Sequence, residues 1–262
     1  MIIDFHTHCF PDKLAERAIP TLSRACGGLI PQTDGTLGNL REHMQKSGVS
    51  VSCVMNIATN PHQMQAVNNF ANEINSDDII AFGSVHPDAP DWEIELERIA
   101  DMGLRGVKLH PDYQGFFADD EKMKPVYKKI SSLGLITLFH AGFDYGFLPP
   151  YHCMPDNMIK ALSWFDSPVV AAHWGGIDCG IEVLEKLCGL PLFFDTSFGY
   201  GNMPPKIQMK IIEKHGVDNL LFGSDCPWHS PAWELRNLKT LGLSDDELDK
   251  VCHRNAEKLL NL

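Results

Sequence analysis

Short, almost wholly apolar runs alternate along the chain with longer segments in which apolar residues recur at helical spacing. Eight of the short runs read as strands: residues 2–6, 51–57, 79–85, 106–110, 135–140, 169–173, 192–196 and 220–224. Runs without polar alternation are expected where both faces of a parallel sheet are covered, with the helical segments as crossovers. Eight such units in a chain of this length predict an α/β fold of the TIM (β/α)8 barrel type, distorted by unequal connections.

The helical segments carry their own punctuation. Asp91 reads as the N-cap of a helix through Met102 stopped by Gly103, and Asp119 opens one that runs to Leu133 and stops at Gly134. Asp156 caps a stretch through Phe165, Pro204 and Pro205 begin one that ends at Gly216, and Ser244 to Glu247 has the spacing of a capping box. Pro125 sits inside the second of these and marks either a strained turn or a second start. Residues 10–50 and 143–157 are too long or too irregular for a minimal crossover, and 19–39 is rich in Gly, Pro, Thr and Ser. Both are expected to be loops over the mouth of a pocket. No linker or low-complexity tract divides the chain, so residues 1–262 read as a single domain.

Composition narrows the function classes. Hydrophobic residues make up 44% and charged residues 21%, enough for a large core. Lys and Arg number 22 against 34 Asp and Glu, a net charge of -12, so no basic field attracts nucleic acid or an anionic membrane. No apolar run reaches transmembrane length and the amino terminus begins in a strand, so a cytoplasmic protein acting on a small molecule is expected. The eight cysteines lie singly with no CxxC pair and read as free thiols, with Cys9 and Cys226 directly beside site elements.

The chemistry is concentrated at strand ends. His6 and His8 are two residues apart on the first strand, so their side chains project to one side, half of a transition-metal site. Polar residues at or near the other strand ends are Asn56, His86, Lys108 with His110, His140, His173, Asp195 and Asp225. In a closed parallel barrel all carboxyl ends meet on one face, where active sites of this fold lie. The remaining histidines, at 43, 62, 152, 215, 229 and 253, fall in loops or helices and read as solvated or locally hydrogen-bonded.

Five motifs in order, Asp4-Phe5-His6-Thr7-His8, Gly106-Val107-Lys108-Leu109-His110-Pro111, His173-Trp174-Gly175-Gly176, Gly223-Ser224-Asp225-Cys226-Pro227-Trp228 and Arg254-Asn255-Ala256, span nearly the whole chain. Together they resemble the amidohydrolase superfamily, in particular the amidohydrolase-related group that includes aminocarboxymuconate-semialdehyde decarboxylase. The resemblance implies one divalent metal, zinc first, held by His6, His8, His140 and Asp225 at the carboxyl ends of the strands. It implies His173 and Asp225 as catalytic residues, His173 beside the activated water and Asp225 carrying its proton to the leaving group. In binuclear members of the superfamily a carboxylated lysine on the fourth strand bridges two metals, so Lys108 with His140 and His173 is the alternative two-metal set. The other reading of Lys108 is an ammonium that pairs with a substrate carboxylate. A homo-oligomer is compatible with the resemblance.

Around the metal, Lys108, His110, His86 and Trp174 are the expected substrate-binding residues, with Arg105 a weaker partner for a substrate carboxylate. Asp195 is either a structural carboxylate bonded to backbone amides or the partner of a metal-bound histidine. A metal-dependent hydrolase acting on an ester, lactone or amide of a small anionic substrate is the first expectation. A non-oxidative decarboxylase of an unsaturated or aromatic acid uses the same ligands and is the second. A non-catalytic metabolite-binding barrel would lack a ligand, and none is missing here.

Overall fold

Eight parallel strands and their crossovers account for the architecture of the computed structural model, which describes residues 1–262. The strands are β1 (Ile3–Thr7), β2 (Val51–Met55), β3 (Ile79–Phe82), β4 (Gly106–Leu109), β5 (Ile136–Phe139), β6 (Val169–Ala171), β7 (Phe193–Asp195) and β8 (Leu220–Leu221). They pair in the order β1-β2-β3 and β4-β5-β6-β7-β8. Single parallel bridges, Gly83 to Val107 and Thr7 to Cys226, join the two runs and close the ring as a TIM barrel.

The pleat sorts the side chains. Ile136 and Leu138 share a face with His140, and Leu221 shares one with Gly223 and Asp225. These apolar residues, with Phe82 and Val170, fill the barrel interior beneath the polar strand ends. The opposite faces carry Val107, Leu109 and Phe139, which pack with Leu96, Ile99 and Val126 of the surrounding helices. Both faces are buried, which is why these strands show no alternation of polar residues.

At the seam between β1 and β8 the buried Asp4 carboxylate accepts the Ser224 hydroxyl at 2.6 Å and the backbone N–H groups of Ser224 and His6 at 2.9 and 3.3 Å. Burial pushes this carboxyl up to about 7. The pair couples the strand carrying His6 to the turn carrying Asp225.

The long connection at 10–50 differs from its expectation. It holds two helices, α1 (Asp12–Ala25) and α2 (Leu37–Ser47), the second capped by Thr36, whose hydroxyl accepts the Asn39 N–H at 3.2 Å. α1 contains Pro20 and buries only Ala15 and Ile19. Its helicity comes from docking over the barrel mouth rather than from local propensity, so composition concealed it. Asp119 and Asp156 are not caps either. Asp120 caps a short turn at Glu121–Met123, after which Pro125 stands in the first turn of Lys124–Ser132, the second start. Pro155–Leu162 starts at Pro155, and the Asn157 side chain accepts the Met154 N–H at 3.0 Å. The capping box at Ser244 forms as read.

Gly106 shows how tightly the β3–β4 junction is built. A Cβ there would lie 2.4 Å from the Ile136 carbonyl oxygen and 2.4 Å from the Phe82 ring. Gly106→Ala is therefore expected to lower unfolding free energy by about 1–3 kcal/mol, because the backbone oxygen cannot move aside. Urea denaturation checks this, and an unchanged midpoint would show the junction to be slack.

Candidate metal centre and active-site cavity

The strands stop short of the chemistry. His8, His140, His173 and Asp225 lie just beyond the ends of β1, β5, β6 and β8. His173 and Asp225 have φ of 61° and 63°, left-handed values that side chains other than Gly rarely adopt. These positions turn sharply out of their strands, and the ring of hydrogen bonds around them holds the turn. Asp225 N–H donates to the His6 carbonyl at 2.7 Å, and Gly223 lets the backbone pass: a Cβ there would stand 3.1 Å from His6 Cβ and 3.2 Å from Asp195 Cβ.

Hydrogen bonds on the far sides of the rings set the tautomers. His6 Nδ1 is 2.8 Å from Asp195 Oδ2, and His8 Nδ1 is 2.8 Å from the Met55 carbonyl. Both partners only accept, so both Nδ1 atoms carry the proton and both Nε2 atoms are bare lone pairs. Those Nε2 atoms point at a single oxygen, Asp225 Oδ1, at 3.3 and 3.0 Å. Three acceptors thus converge with no proton of their own to share. Burial holds His6 well below the ordinary histidine range, with the nearby Lys108 charge adding to it, so protonating that ring is a poor remedy. A divalent cation would resolve the arrangement, and two imidazoles with a carboxylate are ligand types that zinc accepts.

His140 and His173 repeat the pattern beside it. The Ser197 hydroxyl donates to Asp195 Oδ1, so Ser197 Oγ has only a lone pair to offer His173 Nδ1 at 2.7 Å. His140 Nε2 lies 3.1 Å from the Phe143 carbonyl. The two remaining nitrogens, His173 Nε2 and His140 Nδ1, face each other unprotonated at 3.1 Å. The His6 and His173 rings stack with centroids 5.1 Å apart, so the two acceptor groups are neighbours. His140 Nδ1 therefore meets His173 Nε2, and His140 groups with His110 and Asp144 rather than with the His6, His8 and Asp225 set it was expected to complete.

Lys108 lies fully buried with Nζ 3.1 Å from His6 Nε2. Burial pushes its amine down to about 8, against the pull of Asp225 and Asp195. His110 faces the same cavity and stacks on His140 with centroids 4.1 Å apart. Its Nε2 is 3.1 Å from Asp144 Oδ2, while its Nδ1 faces the Tyr113 N–H at 3.5 Å. Its Nε2 therefore carries a proton toward Asp144, and this His–Asp pair is a hydrogen bond rather than a set of free ligands. Asp144 escaped the sequence reading because it sits in the irregular stretch after β5, where no periodicity marks an inward residue.

Two expected substrate contacts lie elsewhere. His86 does not line the cavity: its Nδ1 accepts the Asp88 N–H at 3.3 Å within its own turn. Trp174 is fully buried, its indole N–H donates to the Thr196 carbonyl at 2.9 Å, and it does not line the cavity either. In both cases the residue follows a strand end, but the turn directs its side chain into packing. Arg105 lies at the opposite mouth of the barrel, beside Leu135 and Leu259. Trp228 does reach the cavity. Asp195 accepts the His173 and Ser197 N–H groups at 3.0 and 3.1 Å, as a structural carboxylate does, and also receives the His6 ring at 2.8 Å.

Above this floor opens a cavity of about 390 Å³. Leu14 and Leu22 of α1, Val67 and Phe70 of the helix Met64–Ile74, Phe198 and Trp228 give it largely apolar walls. From residues 143–157, Asp144 and Tyr145 line it, whereas Phe143 and Tyr151 stack on each other with centroids 4.4 Å apart.

The amidohydrolase family profile matches residues 3–262. Among solved structures, the chain is similar to 5-carboxyvanillate decarboxylase from Sphingomonas paucimobilis, with TM-score 0.76 and 16% identity over 100% of this chain and 99% of that one. A TIM-barrel protein from Bordetella bronchiseptica gives 0.78 and 19% over 99% and 98%. The 2,6-dihydroxybenzoate decarboxylase from Rhizobium gives 0.73 and 14% over 99% and 98%. At such identities these likenesses speak for the fold. No protein of curated function matches the sequence.

Because Asp195 sets the tautomer of His6, Asp195→Asn is expected to weaken zinc binding by about 10–100-fold while leaving the circular dichroism spectrum unchanged. Chelator competition reads the affinity. Undiminished binding in a folded variant would reduce Asp195 to an anchor for the β6 and β7 turns.

Proposed function

The chain belongs to the amidohydrolase family, and from that premise we propose a metal-dependent hydrolase that directs activated water at an ester, lactone or amide bond of a small molecule. The observation that carries this reading is the convergence of the bare His6 and His8 Nε2 atoms on Asp225 Oδ1 at the floor of a cavity. A divalent cation bound there, zinc first, would lower the pKa of water to about 7 and so make hydroxide available near neutral pH. His6, His8 and Asp225 would hold it, with His140 alongside.

The residues of the chain supply the rest. Asp225 directs both its close contacts through Oδ1 and borders the cavity, so its carboxylate takes the proton of the attacking water and returns it to the leaving group. His173 keeps its proton on Nδ1 against Ser197, leaving Nε2 to orient that water. The apolar walls keep bulk water from the reacting bond.

The bare pair formed by His140 Nδ1 and His173 Nε2 favours a second reading, in which those rings would take a second ion with a carboxylated Lys108 as a shared ligand. Non-oxidative decarboxylation on the same ligands is the alternative activity, supported by the folds of the two decarboxylases above.

Asp225→Asn is expected to abolish nearly all turnover and lower metal content while the fold persists. Substantial turnover would refute the proton-carrier role. Elemental analysis of protein purified without chelator is expected to find at least one equivalent of zinc, manganese, iron or cobalt, and protein with none would remove the basis of the reading. Two equivalents when bicarbonate is present, falling in Lys108→Ala, would establish the bridge. Carbon dioxide released from an aromatic acid, with no ester or lactone turned over, would move the assignment to decarboxylase.

A further inference from the structure

Lys108 is the only lysine or arginine that lines the active-site cavity, and it lies beneath the substrate space against His6. Arg24, at the end of α1, points to Thr21 on the outer surface. The carboxylates of Asp144 and Asp225 both border the cavity. Asn56 adds an acceptor: its Nδ2 is spent on the Phe82 carbonyl at 3.0 Å, which leaves Oδ1 for the cavity. Asp144 is held rigidly, Oδ1 by the Gly146 N–H at 2.7 Å and Oδ2 by His110 at 3.1 Å.

We infer that the body of the substrate, the part lying between the floor and the mouth, is uncharged and largely apolar, with a hydroxyl rather than a carboxylate as its polar substituent. This deepens and rests on the hydrolytic reading. It departs from the anionic substrate expected from Lys108, because that amine serves the floor and nothing above it pairs with an anion. A carboxylate on the body would lose its hydration among Leu14, Leu22, Val67 and Phe70 and would share the cavity with the Asp144 carboxylate, with no lysine or arginine in the walls to pair with it. A hydroxyl finds waiting acceptors in Asn56 and Asp144.

The test uses zinc-loaded protein and phenyl acetates whose para substituent is methyl, hydroxymethyl or carboxymethyl, groups of similar effect on ester reactivity. The methyl and hydroxymethyl esters are expected to exceed the carboxymethyl ester in kcat/KM by about tenfold or more. Leu22→Arg, which places a cation on the half-buried wall, and Asp144→Asn, which removes a charge but keeps an acceptor for Gly146, are each expected to narrow that gap. A carboxymethyl ester turned over as well as the others, or a gap unmoved by both variants, overturns the inference and leaves hydrolysis standing. Calorimetry with the corresponding phenols, 4-methylphenol, 4-(hydroxymethyl)phenol and 4-hydroxyphenylacetate, separates the two readings. The same ranking in binding with no ester hydrolysed would refute hydrolysis and support the neutral cavity. Tighter binding of 4-hydroxyphenylacetate would refute the neutral cavity.

Discussion

One buried carboxylate decides the protonation of the centre. Asp195, fully excluded from solvent, receives the His6 ring, the Ser197 hydroxyl and the backbone N–H groups of His173 and Ser197. Burying a charge costs several kcal/mol, and charge-assisted hydrogen bonds of about 1.5–3 kcal/mol each offset that cost. The result is directional. Protons are drawn to the outer nitrogens of His6 and His173, and the inner nitrogens are left bare. Removing this carboxylate would free the rings to take the opposite tautomer, with a proton on the His6 nitrogen that faces Asp225.

The rest of the site divides between strands and connections for a mechanical reason. Ligands must converge to within a few tenths of an ångström, and the strand ends, held on both sides by the parallel ladder, give that rigidity. Asp4 adds to it by tying β1 to the turn of Asp225. The walls need only size and polarity, and α1, the helix Met64–Ile74 and the stretch after β5 supply them. The converging imidazoles and carboxylate therefore stand on the barrel itself, while the walls of the cavity come from the connections.

Much of this was legible along the chain. Eight apolar runs gave eight strands in the right order, because full burial on both faces leaves a signal that survives without tertiary information. His6 with His8, His140, His173 and Asp225 were readable for the same reason, each closing or directly following such a run. Less was legible where the backbone turns. His86 and Trp174 also follow strand ends, yet their turns send them into packing. Asp144, His110's partner, lies in a stretch with no period at all. α1 was read as loop because Pro20 and a sparse buried face obscure a helix that exists by docking.

By itself, then, the order of residues determined the eight-stranded barrel and placed histidines and an aspartate at the ends of its strands, since periodicity and residue chemistry are local properties. Only the tertiary structure decided which nitrogen of each imidazole is bare, that Lys108 sits against His6 at the cavity floor, and that no other lysine or arginine lines the cavity. Those are properties of neighbours dozens of residues away, Asp195 to His6 or Met55 to His8, and a proton's position follows the partner it can reach in space.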